Sequence, residues 1–490
     1  MNLTSATHDT DLTLDPKDWT DMRALGHRML DDMMDYLENI REEPVWRPIP
    51  GAVKAFFDKE IPQHPENIEE IYDEFKRYIL PYNKGNVHPR FFAFVQGTGT
   101  PFGVLAEMLA AALNPNVGIG EHAPMYVDQQ VVEWCKQMMN FPADASGILL
   151  SGGSMANITA LAVARNHQLG LDVRKSGLKA VDGQMTLYYS AETHSCMRKA
   201  AEVLGLGLDA VRQIPVDADY RINLELLEKA IREDLAAGHL PFCIVGNAGT
   251  VNTGAIDPLD ELRDIADRYK LWLHVDGAFG ALAKLAPAYR EPLKAIERAD
   301  SVAFDLHKWM YMPYEVGVAL VKNPQAHRDA FAVTPAYLTQ EKRGLAGGPD
   351  PVNNFGMELS RGFKALKVWM SLKEHGLEKY ARMIGQNIDQ AFYLGQLVDA
   401  DPELELLAPV TMNIVCYRYV RPGLSEGELN ELNREILIRL QEEGIASPSS
   451  TILQGRFAIR VANVNQRSVK ADFEVLARET VRIGREGVRG

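Results

Sequence analysis

The chain has 490 residues, of which 46% are hydrophobic and 24% are charged, and its formal net charge at pH 7 is −14. These proportions are typical of a globular protein, and the length exceeds what one hydrophobic core usually supports, so two or three domains are expected. The negative charge would repel phosphate backbones and anionic lipid, and no run of Lys and Arg opposes it, which argues against a nucleic-acid or membrane partner.

The cysteines and the N-terminal sequence indicate a cellular location. Four cysteines, at 135, 196, 243 and 416, lack CxxC spacing, which argues against a zinc site and a disulfide framework and predicts small buried residues in a reducing compartment. The sequence MNLTSATHDTDLTLD lacks the basic start and the apolar stretch of a secretory signal, and no run of about 18 apolar residues occurs. We therefore expect a cytoplasmic protein that binds a small ligand.

The first predicted element is helical and extends from residue 19 to residue 79. Its apolar residues recur at three- and four-residue spacings, as in Leu25, Met29, Leu30, Met33 and Leu37. This segment has too little hydrophobic core to fold alone, so its apolar face must pack on the rest of the chain or on a second subunit.

Between about residues 100 and 325, short apolar runs alternate with longer helical patterns. The predicted strands are GILLS (147–151), TLYYS (186–190), FCIVGNAG (242–249), LWLHVD (271–276), SVAFD (301–305) and GVALV (317–321). Strands that are apolar on both faces and separated by helices are typical of a mainly parallel sheet covered on both sides. The pattern predicts an α/β domain.

After about residue 385 the elements become fewer and more polar. MNIVCYRYV (412–420) and RFAIRVANV (456–464) indicate half-buried antiparallel strands with a helix between them, which favours a small α+β domain. The density of Gly, Pro and Asn in residues 339–354 predicts a long loop. We expect an N-terminal helical segment (1–95), a large α/β domain (96–384) and a small C-terminal domain (385–490).

A glycine-rich turn follows the strand GILLS. Ligands of an open α/β sheet bind beyond the carboxyl ends of its strands, and here Gly152, Gly153 and Ser154 lead from such an end into a helical pattern. Free N–H groups and a hydroxyl at a helix start can hold a phosphate. The alternative is an ordinary turn in which Ser154 caps the helix.

Two charged residues end neighbouring strands. Asp276 follows LWLHV, and a buried carboxylate there needs a cation or a donor, either a structural Arg or Lys or the protonated pyridine nitrogen of pyridoxal phosphate. Lys308 follows SVAFD; such a lysine is usually a solvated charge. The bulky apolar residues 309–312 would instead lower its pKa towards the neutral amine that forms a Schiff base.

Two further polar residues follow predicted strands. His194 comes after TLYYS, where its ring could lie over an aromatic cofactor or could simply cap a helix or face solvent. Thr250 follows FCIVGNAG, where its hydroxyl could contact the cofactor or serve ordinary turn chemistry. The order of a Gly-Ser turn, a His, a Thr, an Asp and a Lys, each at a strand end, favours one ligand site.

This order resembles the fold type I pyridoxal-phosphate enzymes, and more narrowly the group II amino-acid decarboxylases, which act on aromatic amino acids, glutamate or cysteine sulfinate. The matching motifs are SGGSMAN (151–157), THS (193–195), HVDGAFG (274–280) and DLHKW (305–309), and the resemblance extends from residue 88 to residue 465. It implies a large domain with a mainly parallel seven-stranded sheet covered by helices. It also implies an N-terminal dimerisation segment and a homodimer with a shared active site.

The resemblance also implies roles for single residues. Lys308 would bind pyridoxal 5'-phosphate as a Schiff base, and Asp276 would pair with the pyridine nitrogen. The other implied cofactor contacts are His194 on the ring, Gly153, Ser154 and His307 near the phosphate, and Thr250 and Ala278. In family members a loop tyrosine protonates the substrate carbon, and YLTQEKRGLAGGPDP (337–351) matches this loop with Tyr337.

The implied reaction is decarboxylation of an L-amino acid to an amine and CO2, with an aromatic substrate (Trp, Tyr, Phe or Dopa) as first choice. Asn86, Asn116 and Gly118 stand where aromatic decarboxylases usually place bulky rings, so glutamate, diaminobutyrate and cysteine sulfinate remain open. The same motifs also fit an aldehyde synthase or an aminotransferase, whereas a non-catalytic scaffold would not need Lys308. Asp305, near the expected phosphate, would either face away or bind a donor.

Overall fold

The structure is a computed structural model and describes residues 12–16, 18–169, 173–333 and 341–487. The chain forms two compact units, Met1–Glu43 with Pro48–Asn83, and Pro44–Arg47 with Lys84–Gly490. The division into three domains at residues 95 and 384 remains a prediction. Among the described helices, none combines the length and the apolar character needed to cross a bilayer.

The first unit consists of short helices around one long helix. These helices are α1 (Trp19–Glu38), α2 (Gly51–Phe56) and α3 (Ile68–Glu74). Helix α1 begins after Asp18, whose carboxylate accepts a hydrogen bond from the Thr20 N–H at 2.7 Å. Of its predicted apolar face, Leu25 is buried, whereas Met29 and Leu30 are exposed. That face is therefore largely uncovered in the single chain.

The second unit contains two sheets and the remaining helices. Its strands are β1 (Ser146–Leu150), β2 (Met185–Ser190), β3 (Val211–Ile214), β4 (Leu240–Asn247), β5 (Trp272–Asp276), β6 (Ser301–Asp305), β7 (Gly317–Val321), β8 (Leu404–Leu406), β9 (Ile414–Tyr419), β10 (Ser449–Leu453) and β11 (Arg456–Ala462). Its helices are α4 (Pro101–Leu113), α5 (Ala123–Met139), α6 (Gly153–Leu169), α7 (Val173–Ser176), α8 (Cys196–Val203), α9 (Leu224–Ala236), α10 (Leu259–Tyr269), α11 (Leu306–Trp309), α12 (Pro324–Phe331), α13 (Ala365–Ala400), α14 (Glu426–Glu442) and α15 (Lys470–Gly487).

The large sheet has seven strands in the order β1-β7-β6-β5-β4-β2-β3. Strands β3, β2, β4, β5 and β6 run parallel to one another, and β7 runs antiparallel to both β1 and β6. Strands β2, β5, β6 and β7 are buried along their whole length because helices cover both faces. The expected mainly parallel α/β sheet is thus confirmed.

The small sheet is antiparallel, in the order β10-β11-β9-β8. The prediction that its strands are half-buried is wrong, because every residue of β9 is buried. Val415 and Tyr417 pack with apolar residues of α13, α14 and α15, whereas Ile414 and Cys416, on the opposite face, join the core of the large sheet. The small sheet is therefore sandwiched between two cores.

Helix α5 carries a carboxyl group inside the core. Asp128 is 2% exposed, and its Oδ1 has no hydrogen-bond partner among the described residues. Burial raises the pKa of Asp128 to about 6, although the positive charges of Arg361 and Lys364 oppose this shift. The guanidinium of Arg361 is bound elsewhere, to the carbonyl oxygens of Val117 at 3.2 Å and Leu149 at 2.6 Å. An ionised Asp128 is thus poorly compensated.

The four cysteines lie within the described residues and are free and buried, as their spacing predicted. Residues 341–351 of the predicted loop form turns and irregular chain before a short 3₁₀ helix, Val352–Phe355.

Candidate active site

A cavity of about 860 Å³ opens at the carboxyl ends of the large sheet. The predicted site residues that line it are Gly153, Ser154, His194, Asp276, Ala278, His307 and Lys308. They meet because strands β1, β2, β5 and β6 all end at this edge. The order of polar residues along the chain therefore corresponds to one site in space.

The Gly152–Ser154 turn packs directly on Asp305. A Cβ atom at Gly153 would lie 3.0 Å from Asp305 Oδ2. A Cβ atom at Gly317, the β7 residue between the ends of β1 and β6, would lie 2.5 Å from the Gly152 Cα and 2.6 Å from Asp305 Oδ1. Only glycines allow this approach. The Ser154 side chain is exposed in the cavity, in the first turn of α6, where helix N–H groups lack intrahelical partners.

Lys308 is held by an ion pair. Its Nζ lies 2.9 Å from Asp305 Oδ2, and His307 Nε2 lies 3.8 Å from the same oxygen. Asp305 is therefore bound to a donor, Lys308, through Oδ2, which answers the question that the sequence left open, whereas its buried Oδ1 has no hydrogen-bond partner among the described residues. Burial alone would lower the pKa of Lys308, but the negative charge and hydrogen bond of Asp305 outweigh it and raise that pKa.

The expectation that apolar neighbours depress the Lys308 pKa is thus wrong for this structure. The residues after Lys308 are buried in the core. Trp309 Nε1 donates to Asn387 Oδ1 at 3.1 Å, and the Tyr311 hydroxyl donates to the same oxygen at 2.7 Å. Neither ring lines the cavity. The nearest strong influence on the amine is the carboxylate three residues earlier.

Asp276 is 5% exposed and receives several donors. Its Oδ1 accepts the Ala278 N–H at 3.2 Å, and its Oδ2 lies 3.9 Å from the thiol of Cys196. Burial raises the pKa of Asp276, against the opposing charge of Lys308 and these hydrogen bonds. A further cationic donor on the cavity side would stabilise the carboxylate.

His194 has a defined proton position. Its Nδ1 accepts the N–H of Cys196 at 3.2 Å, so a neutral ring carries its proton on Nε2. Burial in the cavity wall lowers the pKa of His194, against the opposing charge of Asp276, which favours this neutral form. Burial likewise lowers the pKa of His307, which favours its neutral form. The centre of its ring lies 4.4 Å from the centre of the Tyr314 ring.

One predicted residue is not brought to the cavity, and another cannot be placed in it or outside it. Thr250 is buried in its own loop: its Oγ1 accepts the Ala255 N–H at 3.1 Å and lies 3.1 Å from the hydroxyl of Thr253. It does not line the cavity, and its contact with a cofactor remains a prediction. Tyr337 lies outside the described residues.

The three positions expected to shape the substrate pocket make other contacts. Asn86 donates to the carbonyl oxygen of Gly97 at 2.8 Å, and the Asn116 side chain accepts the Arg361 N–H at 2.9 Å. Neither they nor Gly118 line the cavity as formed by the described part of this single chain.

One wall of the cavity was not predicted from the sequence. Phe94 is 56% exposed there, and Lys84 Nζ lies 4.8 Å from the centre of its ring. Arg460 of β11 is 3% exposed and donates to the carbonyl oxygen of Phe94 at 2.9 Å and to the Ser449 hydroxyl at 3.1 Å. Phe94 and Arg460 lie in HPRFFAF (88–94) and GRFAIRVANVN (455–465), at the two ends of the stretch that carries the resemblance, but no pattern within these sequences indicated a site.

The residues present fit pyridoxal phosphate. Asp276 offers a buried carboxylate to a protonated pyridine nitrogen, and Lys308 offers an amine to the aldehyde. The turn before α6 offers N–H groups and the Ser154 hydroxyl to a phosphate, in a cradle that a Cβ at Gly153 would narrow. The expected cofactor therefore agrees with the charge and shape of the site.

Comparison with known proteins gives the same assignment. The family described as "Pyridoxal-dependent decarboxylase conserved domain" matches residues 50–420. An aromatic-L-amino-acid decarboxylase of Bacillus atrophaeus is 33% identical over 457 residues, which cover 92% of this chain and 93% of that protein. A phenylacetaldehyde synthase of Arabidopsis thaliana is 30% identical over 482 residues, 95% of this chain and 97% of that protein.

The crystal structure of Oryza sativa TDC with PLP and tryptamine is similar at a TM-score of 0.89 and 25% identity, covering 97% of this chain and 99% of that chain. The chain therefore belongs to the pyridoxal-dependent decarboxylase family, and its cofactor is pyridoxal phosphate.

Proposed function

We propose that this decarboxylase acts on an aromatic L-amino acid and releases the amine and CO2. The observation that carries the substrate class is the 33% identity, over almost the whole chain, with a decarboxylase of aromatic amino acids. The rings of Phe91, Phe94 and Phe279 in the cavity lining support it, because stacked or edge-on rings favour an aromatic side chain.

Each end of the cofactor has a proposed partner. Asp276 would pair with the pyridine nitrogen, His194 would lie on the ring, and the Gly153–Ser154 turn with His307 would hold the phosphate. When bound, pyridoxal phosphate supplies an electron sink for the breaking bond between Cα and the carboxylate. Ala278 and Thr250 complete the proposed contacts.

The side chains of the protein would donate and accept protons around the bound cofactor. The Lys308 amine must lose a proton before it can act as a nucleophile, and Asp305 Oδ2, at 2.9 Å, opposes that loss because it stabilises the charged amine and raises its pKa. His194 Nε2 carries a proton that it can offer to substrate or to Tyr337. We assign to the Tyr337 hydroxyl the role of returning a proton to the substrate Cα.

The competing activity is that of an aldehyde synthase, since one relative at 30% identity carries that name. The presence of Tyr337 and His194 favours simple decarboxylation, because both groups would be able to return a proton to Cα of the substrate. The test is one incubation of the loaded enzyme with each of the twenty L-amino acids, Dopa, 5-hydroxytryptophan, diaminobutyrate and cysteine sulfinate. CO2, amine, ammonia and peroxide are measured together.

The expected result is amine and CO2 in equal amounts from an aromatic substrate. Ammonia and peroxide in place of amine would support the aldehyde synthase, and turnover confined to an acidic or basic amino acid would refute the aromatic substrate class. A Lys308→Ala variant serves as the blank in every incubation.

We further propose a homodimer with a shared active site. Helix α4 exposes the apolar side chains of Val104, Met108, Leu109 and Leu113 in the single chain, a row that water disfavours and that a second subunit would cover. A Met108→Glu, Leu113→Glu variant should elute as a monomer in size-exclusion chromatography with light scattering. Val203→Glu, at another exposed apolar position, is the matched control and should remain dimeric.

We propose a cytoplasmic location. Its support is the four free and buried thiols, which are typical of a reducing compartment. Fractionation of the source cells should place the activity with a cytosolic marker enzyme. Activity in a membrane or secreted fraction would contradict the proposal.

A further inference from the structure

A chain of buried hydrogen bonds lies behind Asp276. Trp272 Nε1 donates to Ser301 Oγ at 2.8 Å, and the same oxygen lies 2.8 Å from His274 Nδ1. His274 Nε2 lies 2.8 Å from Asn157 Oδ1, Asn157 Nδ2 donates to Cys196 Sγ at 3.3 Å, and this thiol lies 3.9 Å from Asp276 Oδ2. Asn157 also opposes the rise in the pKa of Asp276 that burial causes. Ser301, His274 and Asn157 are completely buried. Water therefore does not provide alternative partners for these groups.

The donors and acceptors of the chain set the direction of its hydrogen bonds. An indole N–H can only donate, so Ser301 Oγ accepts from Trp272 and has its own proton free for His274 Nδ1. Burial lowers the pKa of His274 to about 3, so the ring is neutral and carries one proton. The Asn157 oxygen can only accept, so this proton lies on Nε2, Nδ1 accepts from Ser301, and the Asn157 amide N–H group is turned towards the sulfur of Cys196.

The other end requires the same direction. A reversed Asn157 amide would place its oxygen beside the sulfur of Cys196, where it would compete with Asp276 Oδ2 for the thiol proton. Cys196 shares this end: its thiol pKa is raised to about 12 by burial, so it stays protonated, and Asn157 Nδ2 lies 3.3 Å from its sulfur. Both ends thus select one arrangement of protons.

We infer that Trp272, Ser301, His274 and Asn157 are positioning residues that direct a hydrogen-bond donor at Asp276 and keep it ionised towards the cavity. Hydrogen bonds to the charged form of a carboxylate favour that form, and this opposes the cost of burial. An ionised Asp276 is the form that binds a protonated pyridine nitrogen. The inference rests on the role of Asp276 in the proposed function, and it adds the residues through which the fold maintains that role.

The test compares two ligands that differ in one atom. The cofactor-free full chain is titrated with pyridoxal phosphate and with its carbocyclic analogue, in which CH replaces the ring nitrogen. The measured quantity is the ratio of the two dissociation constants, analogue over cofactor. General damage to the site weakens both ligands and leaves this ratio unchanged, whereas a weaker interaction with the ring nitrogen lowers the ratio.

The informative variants are Ser301→Ala, which interrupts the chain, and Asn157→Leu, which removes its last member at similar volume. Each should lower the ratio by about threefold to tenfold, the effect of one ordinary net hydrogen bond. The matched control is Ser146→Ala. Ser146 of β1 has its Oγ 2.8 Å from Nδ1 of His327, a buried residue of α12, and both residues lie outside the cavity lining, so this variant breaks another Ser–His pair and should keep the wild-type ratio.

A fourth variant, at Asp276 itself, separates the inference about the hydrogen-bond chain from the proposed role of Asp276. Asp276→Asn should bring the ratio to near one, because the interaction with the nitrogen is then lost directly. If Asp276→Asn lowers the ratio but Ser301→Ala and Asn157→Leu keep it at the wild-type value, the inference about the chain is wrong and the role of Asp276 stands. If Asp276→Asn itself keeps the wild-type ratio, the role of Asp276 is wrong, and the inference fails with it.

Discussion

Replacement of the buried carboxyl of Asp128 by an amide should stabilise the protein at neutral pH. The Asp128→Asn change keeps the shape of the side chain and removes a charge that helix α5 places in the core. The pKa of Asp128 is about 6 in the folded chain against an ordinary value of 3.8. The folded chain therefore binds this proton more readily than the unfolded chain does, and the ionised form is a cost of folding.

The size of the effect follows from these two pKa values. The difference of about two units corresponds to about 3 kcal/mol at pH values above both. The contribution of protonated Asp128 to the free energy of unfolding is fully present below pH 3.8 and is lost as the pH rises through about 6. The advantage of Asn over Asp should thus be about 3 kcal/mol near pH 7.5, about 1.5 kcal/mol near pH 5, and below about 1 kcal/mol near pH 4.

Urea unfolding of the cofactor-free protein, followed by tryptophan fluorescence at these pH values, measures the difference. Asp399→Asn is the matched control, because Asp399 is an exposed carboxylate near the end of α13 and its loss changes the net charge equally. The reasoning would be refuted if Asp128→Asn were less stable than the wild type at neutral pH, or more stable by the same amount at every pH.

Further predictions concern the cavity. Lys308→Ala should abolish the visible absorbance of the bound cofactor and nearly all amine formation; retained turnover would remove the central assignment. Tyr337→Phe should slow amine formation by about 10²- to 10⁴-fold and divert the product to ammonia and peroxide, whereas amine at the wild-type rate would exclude its role as proton donor. Asp305→Asn removes the anion that raises the Lys308 pKa, so the increase of the cofactor-loading rate with pH, followed by stopped-flow absorbance, should shift to lower pH. An unchanged profile would contradict this.

The arrangement of the site could be predicted from sequence where it depends on strand order. Parallel strands present their carboxyl ends at one edge, so residues that follow such strands meet whatever their separation along the chain. Ser154, His194, Asp276 and Lys308 come together for this reason. Strand β3 was missed, because its sequence VRQI is short and polar and lies at the sheet edge.

Effects that depend on contacts across the fold could not be read in the same way. The pKa of Lys308 was judged from its sequence neighbours, but Trp309 and Tyr311 turn into the core and Asp305 dominates. Asn157 and His274 lie inside the recognised motifs SGGSMAN and HVDGAFG, yet their connection is visible only when β1 and β5 are placed in one sheet. Buried polar pairs between distant elements leave no periodic signal.

The close approach of Gly317 to Gly152 and Asp305 means that residues around the cavity differ in how well they tolerate substitution. A methyl group at Gly317 would meet the Cα of Gly152 and Oδ1 of Asp305, a carboxylate whose other oxygen is held by the Lys308 amine. Side chains form the opposite wall, where Phe94 is largely exposed. Libraries that aim to change the amino acid accepted by the enzyme should therefore vary that wall and leave the glycine edge unchanged. Single exchanges at the wall can reshape the pocket, whereas the glycine edge changes only if the backbone moves.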